Sequence, residues 1–103
     1  MNNQLTITIH GRLGKNPELR HTKKCKAFCT FSLAEQIEGQ EEPRWHNVVM
    51  WEKDSEHWTK VLKKGANVFV RGRILEKQFK TRDGELKSFN EISAEDIGFV
   101  SSL

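Results

Sequence analysis

Arg44-Trp45-His46-Asn47-Val48-Val49-Met50-Trp51 reads as a β-strand, and the residues that follow it do not. The run is rich in Val and Trp, and a period of two puts Trp45, Asn47, Val49 and Trp51 on one face. At Asp54-Ser55 the pattern changes. An N-cap is offered there, Trp58, Val61 and Leu62 fall at helical spacing, and Gly65 sits where a C-terminal cap belongs. The spacing predicts one short amphipathic helix, with Trp58 on its packed stripe. Strand pattern then returns from Asn67 to Thr81, with Gly72 at a bend. Asp83-Gly84 is a hairpin signal, and Leu86 to Val100 comes back as a further strand.

Upstream of the central strand, Gln4 to Leu13 alternates, with Leu5, Ile7 and Ile9 on the buried side. Gly11 and Gly14 mark a bulge or sharp bend. Asn16-Pro17-Glu18 is a turn signal. Lys26 to Ala34 is a strand with Ala27, Cys29, Phe31 and Leu33 facing inward, and Glu35 to Pro43 is a loop. Residues 1–103 are therefore expected to form a single all-β domain, five strands with one short helix between the third and fourth. That is the order of the OB-fold, a small Greek-key barrel whose faces and loops around strands 2 and 3, and whose loop between strands 4 and 5, bind oligonucleotides.

Two tryptophans on one face of a short strand make a flat aromatic surface, although core packing is the plain alternative for each. By the same count Arg71, Arg73, Lys77 and Phe79 share a face of the next strand. Rings beside cations suit the stacking of unpaired bases and the neutralisation of their phosphates. The formal charge of the 103 residues is only +3, so its distribution matters more than its sum. Arg12, Lys15, Arg20, Lys23, Lys24 and Lys26 oppose a single acid, Glu18, between His10 and Lys26. From Lys60 to Lys87 there are nine Lys or Arg against Glu76, Asp83 and Glu85. Such segregation implies a basic path over part of the surface.

Cys25 and Cys29 are four apart and, if both lie on one strand, point to the same face. With His21 they match no common zinc spacing, so no metal and no cofactor is expected. Cys29 reads as a small core residue and Cys25 as a loop or strand-edge thiol. No apolar run is long enough to span a membrane and no signal-peptide pattern opens the chain, which points to the cytoplasm. An enzyme on this fold would have to draw on His10, His21, His46 or His57. No nucleophile elbow, phosphate loop or paired-carboxylate spacing accompanies them, and no catalysis is expected. A protein-interaction module, with the aromatic residues at a subunit interface, is the other class open at this point.

Gly11-Arg12-Leu13-Gly14, Pro17-Glu18-Leu19-Arg20, Phe31-Ser32-Leu33-Ala34 and Trp45-His46-Asn47-Val48-Val49-Met50-Trp51 follow one another in order. Leu62-Lys63-Lys64-Gly65 and Val68-Phe69-Val70-Arg71-Gly72-Arg73-Ile74 continue the series. In this ordered set, from about residue 5 to residue 99, the chain resembles the bacterial-type single-stranded DNA-binding proteins. The resemblance implies sequence-independent binding of single-stranded DNA in replication, recombination or repair, in the cytoplasm at the nucleoid. It implies base stacking on Trp45, Trp51 and Phe79 and phosphate contacts from Arg20, Lys53, Lys64 and Lys77. His46 matches a position near a subunit contact, and homo-oligomers are implied, tetramers or otherwise dimers, with replication proteins as further partners. The loop from Glu35 to Pro43 lacks the aromatic residue the family often carries there. Ser101-Ser102-Leu103 lacks the family's acidic tail, and that shortness also suits a related OB-fold group, the primosomal replication protein N, acting mainly through protein contacts.

Overall fold

The computed structural model describes residues 5–100 of the chain. Six strands and one helix follow in the order β1 (Thr6–Leu13), β2 (Glu18–His21), β3 (Ala27–Glu35), β4 (Arg44–Trp51), α1 (Glu52–Val61), β5 (Asn67–Lys80) and β6 (Leu86–Phe99). Neighbouring strands run β1-β5-β6-β4-β3-β2, and β1 also pairs with β3 at Arg12 and Leu13. That last pairing closes five of the strands into a barrel. β4 and β6 are parallel, and the other pairings are antiparallel. This is the OB-fold arrangement, with the helix in the expected slot between β4 and β5.

Alternation along β3 is strict, and Ala27, Cys29, Phe31 and Leu33 are all buried as expected. They pack with Ile9, Leu13, Val48, Met50, Leu62, Val68, Val70 and Ile92 to fill the interior. Trp58 of α1 packs against this core rather than facing solvent. Where β1 leaves β5 for β3, Gly11 lets two backbones meet. A Cβ there would lie 2.3 Å from the Ala34 carbonyl oxygen. Gly72 marks the irregularity foreseen for it, a register shift that leaves Glu95 of β6 unpaired in the ladder.

Several expectations are corrected. The strand count is six, because Glu18–His21 adds a short fringe strand to β3. Gly11 sits in unbroken pairing with β5, so it marks a close approach and not a bulge. Leu5 is 71 % exposed and belongs to no core. Gln4 lies outside the described residues. The helix begins two residues before Asp54, at Glu52, with Trp51 as an N-cap that makes no side-chain cap hydrogen bond. Ser55 is instead inside the helix, fully buried, its hydroxyl donating to the Glu52 carbonyl at 2.6 Å. The C-cap is Leu62, and Gly65 lies in the following turn at φ +85°; Val61 faces outward. Cys25 does not share a strand with Cys29: it occupies the β2–β3 turn at φ +64°.

Candidate nucleic-acid interface

Directly paired residues in a sheet point to the same side, so the register assembles the outer face. β4 contributes Trp45, Asn47, Val49 and Trp51, opposite Ala34, Ser32, Thr30 and Phe28 of β3. Beyond β3, Glu18 and Arg20 of β2 pair with Thr30 and Phe28. On the other flank Glu91 and Ser93 of β6 stand beside Asn47 and Val49. Trp45 is 58 % and Trp51 43 % exposed, so neither is a core residue. Val49 on the same face is covered. Six residues of strand put the two indoles about 20 Å apart along β4.

Between the tryptophans the floor is polar. An open groove of about 210 Å³ is lined by Thr30, Ser32 and Asn47, with Lys15 and Arg20 on one wall and Glu91 on the other. At one end Trp51 pairs with Phe28, ring centroids 5.2 Å apart. At the other end a cleft of about 410 Å³, lined among others by Trp45, Asn47, Phe89 and Asn90, leads to the β5–β6 hairpin.

That hairpin outgrows the barrel. Among the described residues the β1 ladder follows β5 as far as Arg73, with one further bond from the Ile74 N–H to the Leu5 carbonyl. β4 pairs with β6 only at Glu91, Ile92 and Ser93, so within the described residues the ribbon beyond Leu75 and Glu91 pairs with itself. Its outer side sets Lys77 opposite Phe89 and Phe79 opposite Lys87, and the two phenyl rings meet diagonally at 5.9 Å. Two rings and two ammonium groups alternate there like squares of a board. Phe79 is 47 % exposed.

The nine residues singled out in the sequence fall into four groups. Trp51, Arg20 and Lys53 gather at the α1 end of the face, and Lys64 lies by the β1–β2 loop, its backbone N–H donating to the Asn16 Oδ1 at 2.8 Å. Trp45 lies at the opposite end of β4 from Trp51, against Gly14 of the β1–β2 loop, and Lys77 and Phe79 lie on the ribbon. Arg71 and Arg73 also face outward, but each meets a carboxylate: Arg71 with Asp96 at 2.9 Å and Arg73 with Glu95 at 3.3 Å. Arg20 likewise pairs with Glu18 at 2.5 Å, and that guanidinium holds the Glu18 carboxyl below its ordinary range. His46 lies on the opposite face of β4 from the two tryptophans, bonded to Glu35 at 2.9 Å. Phe28 and Phe89 escaped the sequence reading, and Lys15 and Lys87 entered it only as members of the basic runs. The only signal for Phe28 and Phe89 is an aromatic at outward parity, which becomes legible once the partner strand's register is known.

Among the described residues, no group of three His, Cys, Asp or Glu side chains is placed to hold a metal ion, and no helix is long and apolar enough to cross a membrane.

A closed five-stranded Greek-key barrel with a fringe strand, a helix plug and one aromatic, partly basic outer face defines an OB-fold protein. The chain belongs to the single-strand binding protein family, whose model matches residues 4–100. It is 35% identical over 101 residues to single-stranded DNA-binding protein 3 of Listeria innocua, covering 93% of this chain and 63% of that protein. It is 34% identical over 98 residues to the single-stranded DNA-binding protein of Neisseria meningitidis serogroup A (88% and 56%). With single-stranded DNA-binding protein A of Bacillus subtilis it shares 32% over 99 residues (91% and 58%). The chain thus spans about three fifths of the length of these curated relatives.

Proposed function

We propose that this OB-fold domain binds single-stranded DNA without regard to sequence, as a binding protein and not an enzyme. The observation that carries the reading is the pair of exposed tryptophans on the outer face of β4. Membership of the single-strand binding protein family and the names of its relatives, single-stranded DNA-binding proteins, agree with it.

In this mechanism bases stack on Trp45, on Trp51 with Phe28, and on Phe79 with Phe89. Each stacked base contributes about 1–3 kcal/mol whatever its identity. Arg20, Lys53, Lys64 and Lys77 neutralise phosphates, aided by Lys15 and Lys87, and release counterions. Affinity then falls with salt at a slope of about −0.7 per phosphate contact. Duplex is discriminated against because paired bases are already stacked on one another. A protective role in replication, recombination or repair in the cytoplasm follows from such binding.

Self-association belongs to the same proposal. Thr6 to His10 are paired only on the β5 side among the described residues, and an open edge of this kind is a template for a second strand. Light scattering in solution tests for the dimer or tetramer.

Binding is tested by intrinsic tryptophan fluorescence during titration with oligo-dT at several salt concentrations. Strong quenching that weakens with salt is expected. No quenching and no binding at low salt would sink the reading and move the β4 face into a subunit interface. Incubation of labelled oligonucleotide with added divalent metal should return it uncut.

A further inference from the structure

Gly14 lies just past β1, in the loop leading to β2, and its reason for being glycine is not backbone freedom. Of the glycines with positive φ, Gly39, Gly65 and Gly84, none is Gly14. An alanine could therefore adopt its backbone. What it could not do is share space with Trp45. A Cβ at position 14 would sit 2.6 Å from Cζ3 and 2.7 Å from Cη2 of the indole, with Cε3 at 3.8 Å. The far, six-membered edge of the ring is seated against the bare Cα.

The seat is held firmly. The Gly14 N–H donates to the Ser32 carbonyl at 3.0 Å, tying the loop to β3. On the preceding residue the Leu13 N–H donates to Ala66 at 3.1 Å, and its carbonyl accepts from Gly65 at 2.8 Å. The Asn16 side chain fastens the loop again to the Lys64 N–H. A methyl group at position 14 thus meets a pinned backbone on one side and the indole on the other. The indole is the part that is half free, so it is the part that moves.

We propose that Gly14 is a positioning residue for Trp45. It makes no contact with nucleic acid, and it sets the ring's height and tilt on the outer face so that a base can lie flat on it. The proposal rests on the reading of Trp45 as a stacking platform. Overpacking at residue 14 would rotate the ring off its seat and spoil the platform, while the core beneath, to which Trp45 does not belong, stays as it is.

The test is a double-mutant cycle of Gly14→Ala with Trp45→Phe, read as affinity for a labelled oligo-dT and as thermal midpoint. A phenyl ring at position 45 falls short of where Cζ3 and Cη2 reach, so it removes the conflict while keeping a stacking face. Gly14→Ala alone should weaken binding about five- to tenfold, within the range of one lost stack. In the Trp45→Phe background the same substitution should cost nothing in affinity. An equal loss in both backgrounds would overturn the proposal, because it would show a general effect of the loop. So would wild-type affinity for Gly14→Ala. Should Gly14→Ala fail to fold, the Trp45→Phe partner must restore folding, and persistent unfolding of the double variant would overturn it as well. Trp45→Ala separates the two layers. If it leaves affinity unchanged, the stacking role falls and takes the proposal with it; if it weakens binding while Gly14→Ala does not, only the role of Gly14 falls.

Discussion

Phe28 and Trp51 face each other across the β3–β4 ladder with their ring centroids 5.2 Å apart and their planes inclined at 33°. The phenyl ring buttresses one flank of the indole, and the pair presents a wider aromatic surface than either alone. Arg20, directly paired with Phe28, stands at its rim.

Trp51→Ala should reduce the affinity for oligo-dT by about 1–3 kcal/mol, and Phe28→Ala by an amount toward the low end of that range. Fluorescence anisotropy of a labelled oligonucleotide measures both. Light scattering should show the same mass for each variant as for the wild type. A Phe28→Ala protein that binds as tightly as the wild type would show that Trp51 acts alone.

Ribbon lysines and barrel arginines should differ in their salt signature. Lys77→Gln and Lys87→Gln should each flatten the log–log dependence of affinity on salt by about 0.7. Arg71→Gln and Arg73→Gln should change it less, since Asp96 and Glu95 already occupy their guanidinium groups. Equal slopes for all four variants would mean that the carboxylates give way to phosphate.

Much of this was legible in the residues, and the exceptions share a cause. β3 is visible because one side of the strand is buried and the other is not, as Cys29, Phe31 and Leu33 show. β4 is visible from its run of Val and Trp, although Val49 is buried on the outer face as well. β2 was missed because all four of its residues are exposed; it exists only because β3 offers an edge. Ser55 is a favoured cap residue by type, yet its hydroxyl turns back to the Glu52 carbonyl inside a helix that starts directly from β4. Glu52 at φ +57° makes that corner without a loop, a conformation no composition announces. In the site, Trp45, Trp51, Lys77 and Phe79 followed from parity on single strands. Phe28, Lys87 and Phe89 did not, because their neighbours are fixed by register across strands, and the ribbon's register depends on a connection over residues 81–85.

Gly11→Ala should destabilise the fold by about 1–3 kcal/mol, the cost of forcing extra volume into a closed space. The added carbon would fall 2.3 Å from the Ala34 carbonyl oxygen, where β1 passes from β5 to β3. Urea unfolding should show a lower midpoint at an unchanged slope. An unaltered midpoint would mean that the β1–β3 closure opens at little cost.

The two thiols should behave differently. Cys25 is exposed, whereas burial pushes the Cys29 thiol pKa up from its ordinary 9.0, against a smaller opposing hydrogen bond from Thr59. A thiol reagent should label one cysteine per native chain and the second only after unfolding. Because the folded pKa is raised, the neutral Cys29 contributes stability that is complete below the unfolded pKa and declines as pH rises past it toward the folded value. Denaturation midpoints that stay level through that alkaline range would contradict this.

The pairing order also dictates when the proposed binding face can exist. β3 and β4 are neighbours in sequence and can pair as soon as residue 51 has left the ribosome. β1 must wait for β5, some sixty residues downstream, and the free edge of β4 must wait for Glu91 to Ser93. Such distant pairings carry the loop-closure entropy that slows the folding of β-rich chains. A nascent chain therefore displays Trp45 and Trp51 on an open-edged hairpin before a barrel stands behind them. For that interval the aromatic face is an aggregation hazard, and the closing strands that complete the barrel are also what retire it.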